Sequence, residues 1–68
     1  MIFLAIKTVG ENEFRLFSNK ERTQGYYEVK DAFNRIIKKS EILSYKDACK
    51  GYDSTVKEYE FAHGLKLT

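Results

Sequence analysis

Residues 42–63 read ILSYKDACKGYDSTVKEYEFAH, and the spacing of their larger side chains decides the fold. These positions follow one another at intervals of three or four residues without a break: Ile42, Tyr45, Cys49, Tyr52, Val56, Tyr59 and His63. Such intervals place side chains on one face of an α-helix. Ser44 is a good helix N-cap, and Gly64 lies where a C-terminal cap is expected. The spacing therefore predicts a helix over about residues 45–63.

The tyrosines of this stripe recur every seven residues, at Tyr45, Tyr52 and Tyr59. Small side chains recur with the same period beside them: Ala48, Thr55 and Ala62. Small side chains allow another element to approach the helix closely. One interpretation is that the tyrosine stripe is the core face of the helix. The other is that it docks on another protein, or on a second copy of the chain in a homodimer, which would offset the small core.

Gly51 complicates the prediction of one continuous helix. A glycine inside a helix costs about 1 kcal/mol relative to alanine. Residues 53–55, together with Glu58, could also cap a fresh helix start. A break near residues 51–54 is therefore the alternative to a continuous helix.

Catalytic chemistry is limited because Cys49 and His63 are the only thiol and the only imidazole in the chain. On a continuous helix these residues are about 21 Å apart along the axis, at 1.5 Å per residue. They could then neither form a nucleophilic pair nor share a metal ion. The carboxylates are spread among lysines, and the glycines stand alone, so no phosphate-binding loop is recognisable. We therefore expect no catalytic residue, no metal site and no cofactor, and a chain that is not an enzyme.

The N-terminal part of the chain has the pattern of a β-hairpin. Residues 2–9 and residues 13–18 alternate in the manner of strands, and residues 10–12, Gly-Glu-Asn, have turn composition. Both faces of the first segment are apolar, whereas the second is half polar, which predicts that the first strand is the more deeply buried. An isolated hairpin is barely stable, so we expect helices to cover it.

A further helix is predicted over about residues 27–39. The apolar residues of this segment recur at helical spacing: Val29, Phe33, Ile36 and Ile37. Acidic residues near its start and basic residues near its end match the helix dipole. Tyr26 and Tyr27 either begin this helix or form a short third strand. Leu65 and Leu67 are expected to pack the tail against the body of the protein.

Together these elements predict an α+β fold in which residues 1–68 form a single domain. An antiparallel sheet of two strands, or of three, is covered on one face by two helices. A chain of 68 residues can build only one core. A lone cysteine excludes an intramolecular disulfide and is typical of the reducing cytoplasm. No basic stretch precedes the apolar start, and no apolar run is long enough for a membrane span, so neither a signal peptide nor a membrane is expected.

The residues favour protein binding as the function. Tyrosine and phenylalanine are enriched at interfaces, and on a helical wheel Phe61 lies about 160° from the tyrosine stripe, where it should be exposed. The expected partner residues are Tyr45, Tyr52, Tyr59 and Phe61. Lysine outnumbers arginine, and proline and tryptophan are absent. Such usage is typical of AT-rich genomes, which include many small phage and mobile-element genes. The interpretation is a small non-catalytic inhibitor or accessory factor that blocks a surface of a host protein.

The alternative is a small nucleic-acid-binding or regulatory protein. Its basic residues would come from the polar loop and from the end of the predicted helix 27–39: Lys20, Arg22, Lys38 and Lys39. Tyr26 and Tyr27 could supply rings on which bases stack. A formal net charge of only +2 and the lack of an RNP-type aromatic pattern weigh against this alternative.

Overall fold

The structure is a computed structural model that describes the backbone of residues 1–67 and the side chains of residues 1–64. Within that range five β-strands precede one helix: β1 (Ile2–Val9), β2 (Asn12–Ser18), β3 (Gln24–Lys30), β4 (Ile36–Lys39), β5 (Leu43–Ser44) and α1 (Tyr45–Leu67). The side chains of Leu65 and Leu67, expected to hold the tail, lie outside the described residues. The molecule is a small α+β domain with an antiparallel sheet and one C-terminal helix, so the predicted α+β class is confirmed, whereas the prediction of two helices on a sheet of two or three strands is not.

The sheet is an antiparallel meander in the order β1-β2-β3-β4. The predicted hairpin is present: Val9 lies opposite Asn12, and Gly10 has a φ of 61° in the two-residue turn between them. Glycine adopts this φ without steric cost, as the first central position of a type II′ turn requires. β5 pairs with the beginning of β3 and β4 with its end, both on the edge that β2 leaves free.

The prediction of a helix over residues 27–39 is wrong, because this segment forms most of β3, a tight turn and β4. The Asp31 carboxylate accepts hydrogen bonds from the backbone N–H groups of Phe33 and Arg35. Asn34 adopts a left-handed φ of 65°, which a helix does not allow. The helical spacing of the apolar residues was coincidental. Tyr26 and Tyr27 lie in a strand, which is the alternative that the sequence left open.

The helix α1 is continuous through Gly51 and passes beyond Gly64, so the predicted C-terminal cap at Gly64 is wrong. Its predicted N-cap is present, since the Ser44 hydroxyl accepts a hydrogen bond from the Asp47 N–H at 3.2 Å. The helix packs on one face of the sheet, and the side chains between them form the core: Phe14, Leu16, Val29, Ala48, Tyr52 and Val56. Among the described residues, no helix is long and apolar enough to cross a membrane.

Gly51 lies where α1 packs closely on β3. A Cβ atom at this position would be 2.6 Å from Cε1 of the Tyr27 ring, a distance that real contacts do not reach. Helix propensity alone predicts that alanine at position 51 stabilises the protein by about 1 kcal/mol. We expect the opposite: Gly51→Ala should lower the free energy of unfolding in urea, because the half-buried Tyr27 ring has to shift from its place against the core.

A second variant provides the control for this prediction. In a Tyr27→Ala background the ring is absent, and Gly51→Ala should then stabilise the protein by about 1 kcal/mol, as helix propensity predicts. Equal stabilisation by Gly51→Ala in the wild-type and Tyr27→Ala backgrounds would contradict the contact.

The prediction that β1 is the more deeply buried strand of the hairpin is wrong. Phe14, Leu16 and Ser18 of β2 are buried, whereas β1 contains no buried residue. β1 is an edge strand, because β2 pairs with it on one side and no described strand lies on the other. Both faces of β1 are apolar, but the helix covers only one face of the sheet. The other face therefore displays apolar side chains to solvent.

Candidate functional site

The candidate site is the face of the sheet that lies opposite α1, hereafter the open face. Residues paired directly across antiparallel strands point to the same side, and successive residues of a strand point to opposite sides. Since Phe14 and Val29 point toward the helix, their neighbours point away from it. By this register the open face has three rows: Phe3, Phe17 and Tyr26; Ile6, Arg15, Glu28 and Lys39; Thr8, Glu13, Lys30 and Ile36.

The first row is a continuous line of rings across β1, β2 and β3. The Phe3 and Phe17 rings meet edge-on with their centroids 5.7 Å apart. The Phe17 and Tyr26 rings are nearly parallel, with centroids 4.8 Å apart and an interplanar angle of 13°. The Lys39 ammonium lies 5.1 Å from the centroid of the Tyr26 ring, within the range of a cation–π contact. This aromatic row is ordered by its own contacts without any help from the helix.

The second and third rows bring charged side chains next to the rings. The Arg15 guanidinium donates a hydrogen bond to the Glu13 carboxylate at 2.8 Å. The Nε atom of Arg15 is buried and has no hydrogen-bond partner among the described residues. Glu28 lies between Arg15 and Lys39 in the register and is buried. The charged groups of the open face are therefore partly paired with one another.

The aromatic row is an apolar feature on the solvent side of an antiparallel sheet, which is ordinarily polar. Phe3 is 50% exposed, Ile6 47% and Ile36 52%. Ile6 on β1 and Ile36 on β4 are separated by charged residues of β2 and β3. The rings of the aromatic row are contiguous, and a contiguous exposed apolar group is typical of a contact surface. This arrangement can bind a complementary surface.

The structure does not bring the predicted partner residues together on one free surface. Tyr52 is only 4% exposed, and its hydroxyl donates a hydrogen bond to the Phe14 carbonyl oxygen at 2.8 Å. Burial, with a smaller contribution from the charge of Asp53, raises the pKa of Tyr52 above its usual value. Tyr59 packs edge-on against the Phe14 ring, with centroids 4.9 Å apart. Both tyrosines thus belong to the packed face of α1, which is the first of the two interpretations of the stripe.

The remaining two predicted partner residues lie in different surroundings. Tyr45 is half-buried at the first position of α1. Phe61 is 71% exposed near the end of the helix, as its position on the helical wheel predicts. Phe61 therefore stays available to a partner, but it is separated from the tyrosines that were expected to act with it.

The predicted nucleic-acid-binding residues are also distributed over separate surfaces. Lys20 and Arg22 are exposed in the loop between β2 and β3. The Asn19 side chain holds this loop by accepting hydrogen bonds from the backbone N–H groups of residues 23 and 24. Lys38 and Lys39 point to opposite sides of the sheet, because Lys38 pairs with Val29 and Lys39 with Glu28. Of the two lysines only Lys39 lies on the open face.

Cys49 and His63 are kept apart by the unbroken helix, at about 1.5 Å of rise per residue. The His63 ring lies instead against the β1–β2 turn, where a Cβ on Gly10 would be 3.3 Å from it. A cleft of about 430 Å³ beside this contact is lined by residues that include Lys7, Glu60 and His63. In the part of the chain that the structure describes, no group of three or more metal-ligating side chains occurs.

Sequence reasoning missed the aromatic row, although one signal for it was present in β2. Phe14 and Leu16 alternate with Glu13 and Arg15, and Phe17 falls on the side of the two charged residues. An aromatic residue on the polar side of a strand indicates a second apolar surface. The sequence did not show which rings would lie beside Phe17, because its pairing partners Phe3 and Tyr26 belong to other strands.

No family model matches the chain, and no curated protein or solved structure matches it either. The class of molecule is therefore defined by its own geometry, as a small α+β domain with one helix-covered sheet face and one open face.

Proposed function

We propose that the chain is a non-catalytic protein-binding module and that the open face is its docking surface. The observation that supports this most directly is the contiguous line of Phe3, Phe17 and Tyr26 on a sheet face that α1 does not cover. Aromatic residues are enriched among the residues that dominate binding energy at protein interfaces. Charged residues of the second and third rows lie beside the aromatic row, and interfaces combine an apolar centre with polar surroundings.

Binding through the open face would require no chemical step. Burial of the exposed parts of Phe3, Ile6 and Ile36 would contribute about 25 cal/mol for each Å² of apolar surface removed from water. The aromatic row is already ordered, so little side-chain entropy would be lost on association. A protein that acts in this way blocks the surface it covers, as an inhibitor or an accessory factor does, and an origin in a phage or mobile element is compatible with its composition.

The ring geometry favours a protein over a nucleic acid as the partner. Bases stack on free ring faces. Here Phe17 and Tyr26 lie face to face with one another, and the Lys39 ammonium lies over the Tyr26 ring. A base would have to displace these contacts, whereas a partner's apolar side chain can pack against the exposed ring edges. The separation of Lys38 from Lys39 also removes the continuous basic strip that a phosphate backbone would follow.

Two exposed phenylalanines allow a matched test of this proposal. Phe3 lies on the open face, and Phe61 lies near the end of α1. The tagged protein would be used to capture binding partners from a nuclease-treated bacterial lysate, in parallel as wild type, Phe3→Ser and Phe61→Ser. We expect the wild type and Phe61→Ser to retain the same proteins, and Phe3→Ser to lose them by about tenfold, because the lost ring contact is worth about 1.4 kcal/mol.

The reverse result would contradict the open face as the docking surface. If Phe61→Ser abolishes capture and Phe3→Ser does not, the contact lies on the helix, at the residue that the sequence predicted. Capture that disappears from the wild type after nuclease treatment would indicate nucleic-acid binding. Circular dichroism of each variant establishes that the loss of capture is not a loss of folding.

A further inference from the structure

We infer that the open face selects an acidic partner: a protein segment in which aspartate or glutamate side chains accompany apolar ones. This inference rests on the proposed function, since it concerns the partner of the same face. It is carried by the charges of the second and third rows and by their position relative to the aromatic row.

The open face is positive once the state of each charged group is considered. It has three cations, Arg15, Lys30 and Lys39, and two acids, Glu13 and Glu28. Glu13 accepts a hydrogen bond from Arg15 while 38% of its side chain stays exposed, and Glu28 is buried. The face therefore has a net charge of +1, and Lys30 and Lys39 are its cations without a carboxylate partner among the described residues. A partner with carboxylates opposite them would associate faster and in a preferred register.

The cations also border the aromatic row closely enough to act on the same partner. Lys39 lies over the Tyr26 ring, and Arg15 is two residues from Phe17 on the same side of β2. A segment that packs apolar side chains on the rings would thus meet basic groups on the same face of the sheet.

The same charges disfavour a second copy of the chain as the occupant. A two-fold dimer places a surface against itself, so each basic group would face the basic surface of its partner. Like charges at an interface cost free energy unless counter-charges are interleaved, and the two acids of this face are bound or buried. An acidic protein segment therefore fits the face better than self-association does.

The test uses a displayed library of random peptides selected on the immobilised full-length chain. We expect wild type to enrich peptides that combine aromatic or aliphatic residues with an excess of aspartate and glutamate. The neutralising variant Lys30→Gln/Lys39→Gln should reduce this acidic enrichment about tenfold. The matched control Lys50→Gln/Lys57→Gln removes the same charge from exposed positions of α1 and should leave the selection unchanged.

The outcomes separate this inference from the proposed function. If the enriched peptides need Phe3 but show no acidic excess, the inference is wrong and the docking face remains. The same conclusion holds if the neutralising variant still enriches an acidic excess. Enrichment that does not depend on Phe3, or no enrichment at all, overturns both. Oligothymidylate that binds the wild type at about 150 mM salt, and fails to bind Lys30→Gln/Lys39→Gln, would assign these lysines to nucleic acid and overturn the inference. Circular dichroism establishes whether Lys30→Gln/Lys39→Gln is folded. If this variant is unstable, the salt dependence of the binding of one selected peptide to the wild type tests the same charges.

Discussion

Replacement of Phe14 by alanine should lower the free energy of unfolding by about 3–5 kcal/mol, which for a domain of this size means that much of the population unfolds. Phe14 is only 1% exposed and packs edge-on against the Tyr59 ring. Its carbonyl oxygen also accepts the hydrogen bond of the buried Tyr52 hydroxyl. Alanine would leave a cavity at the point where β2, β3 and α1 meet, and a small core has few other contacts to compensate for it.

Urea denaturation followed by far-ultraviolet circular dichroism measures this effect, since the chain has no tryptophan. Phe61→Ala is the matched control, because Phe61 is largely exposed and its loss should change stability by no more than about 0.5 kcal/mol. A Phe14→Ala protein with a wild-type denaturation midpoint would show that the core does not depend on this ring. The pair also separates stability from binding, because neither residue lies on the open face.

Gly25→Ala should be the second most damaging substitution, with a cost of about 1–3 kcal/mol or more. A Cβ atom at position 25 would lie 2.6 Å from the backbone carbonyl oxygen of Phe17 and 3.3 Å from the Cβ of Ala48. Ala48 is fully buried, so neither the helix nor the strand can withdraw without disturbing the core. The clash involves backbone, which cannot rotate away as a flexible side chain can.

The same substitution at Gly64 provides the comparison. No atom lies within 4 Å of a Cβ placed on Gly64, among the atoms that the structure describes. Alanine should therefore stabilise the helix there by about 0.5–1 kcal/mol through its higher helix propensity. Thermal unfolding of the two variants should shift in opposite directions. A Gly25→Ala protein as stable as wild type would mean that β3 and α1 are not held at this distance.

Both predictions depend on how closely α1 approaches β3. The sequence indicated small residues beside the tyrosine stripe, and Ala48 does meet the Cβ-free backbone of Gly25. Gly51 fits the same contact, since the Tyr27 ring occupies the space that its side chain would take. The glycine that weakens the helix locally is therefore required by tertiary packing. Helix propensity is a property of the single residue, so it cannot indicate which side chain of the sheet packs against that position of the helix.

Each feature that the sequence predicted correctly depends on residues that are close together in the chain. The long helix follows from apolar intervals of three and four residues after an N-cap at Ser44, and the hairpin follows from alternation interrupted by Gly10. Backbone geometry makes these signals local, because the hydrogen bonds of a helix and of a tight turn join residues close in the chain. The separation of Cys49 from His63 follows in the same way, because both residues lie on this one helix.

Only the tertiary structure determined the conformation of residues 27–39 and which residues form the candidate site. Four apolar residues within nine positions suit a helix as well as two strands, and the choice depended on the pairing of Val29 with Phe14, a contact across 15 residues of chain. The open face likewise combines Phe3, Phe17 and Tyr26, which meet only because three strands lie side by side. A sheet is held by hydrogen bonds between distant segments, so no local pattern specifies which side chains become neighbours. The amino-acid sequence by itself thus determined the helix and the turn, and the pairing of the strands determined the surface that a partner would meet.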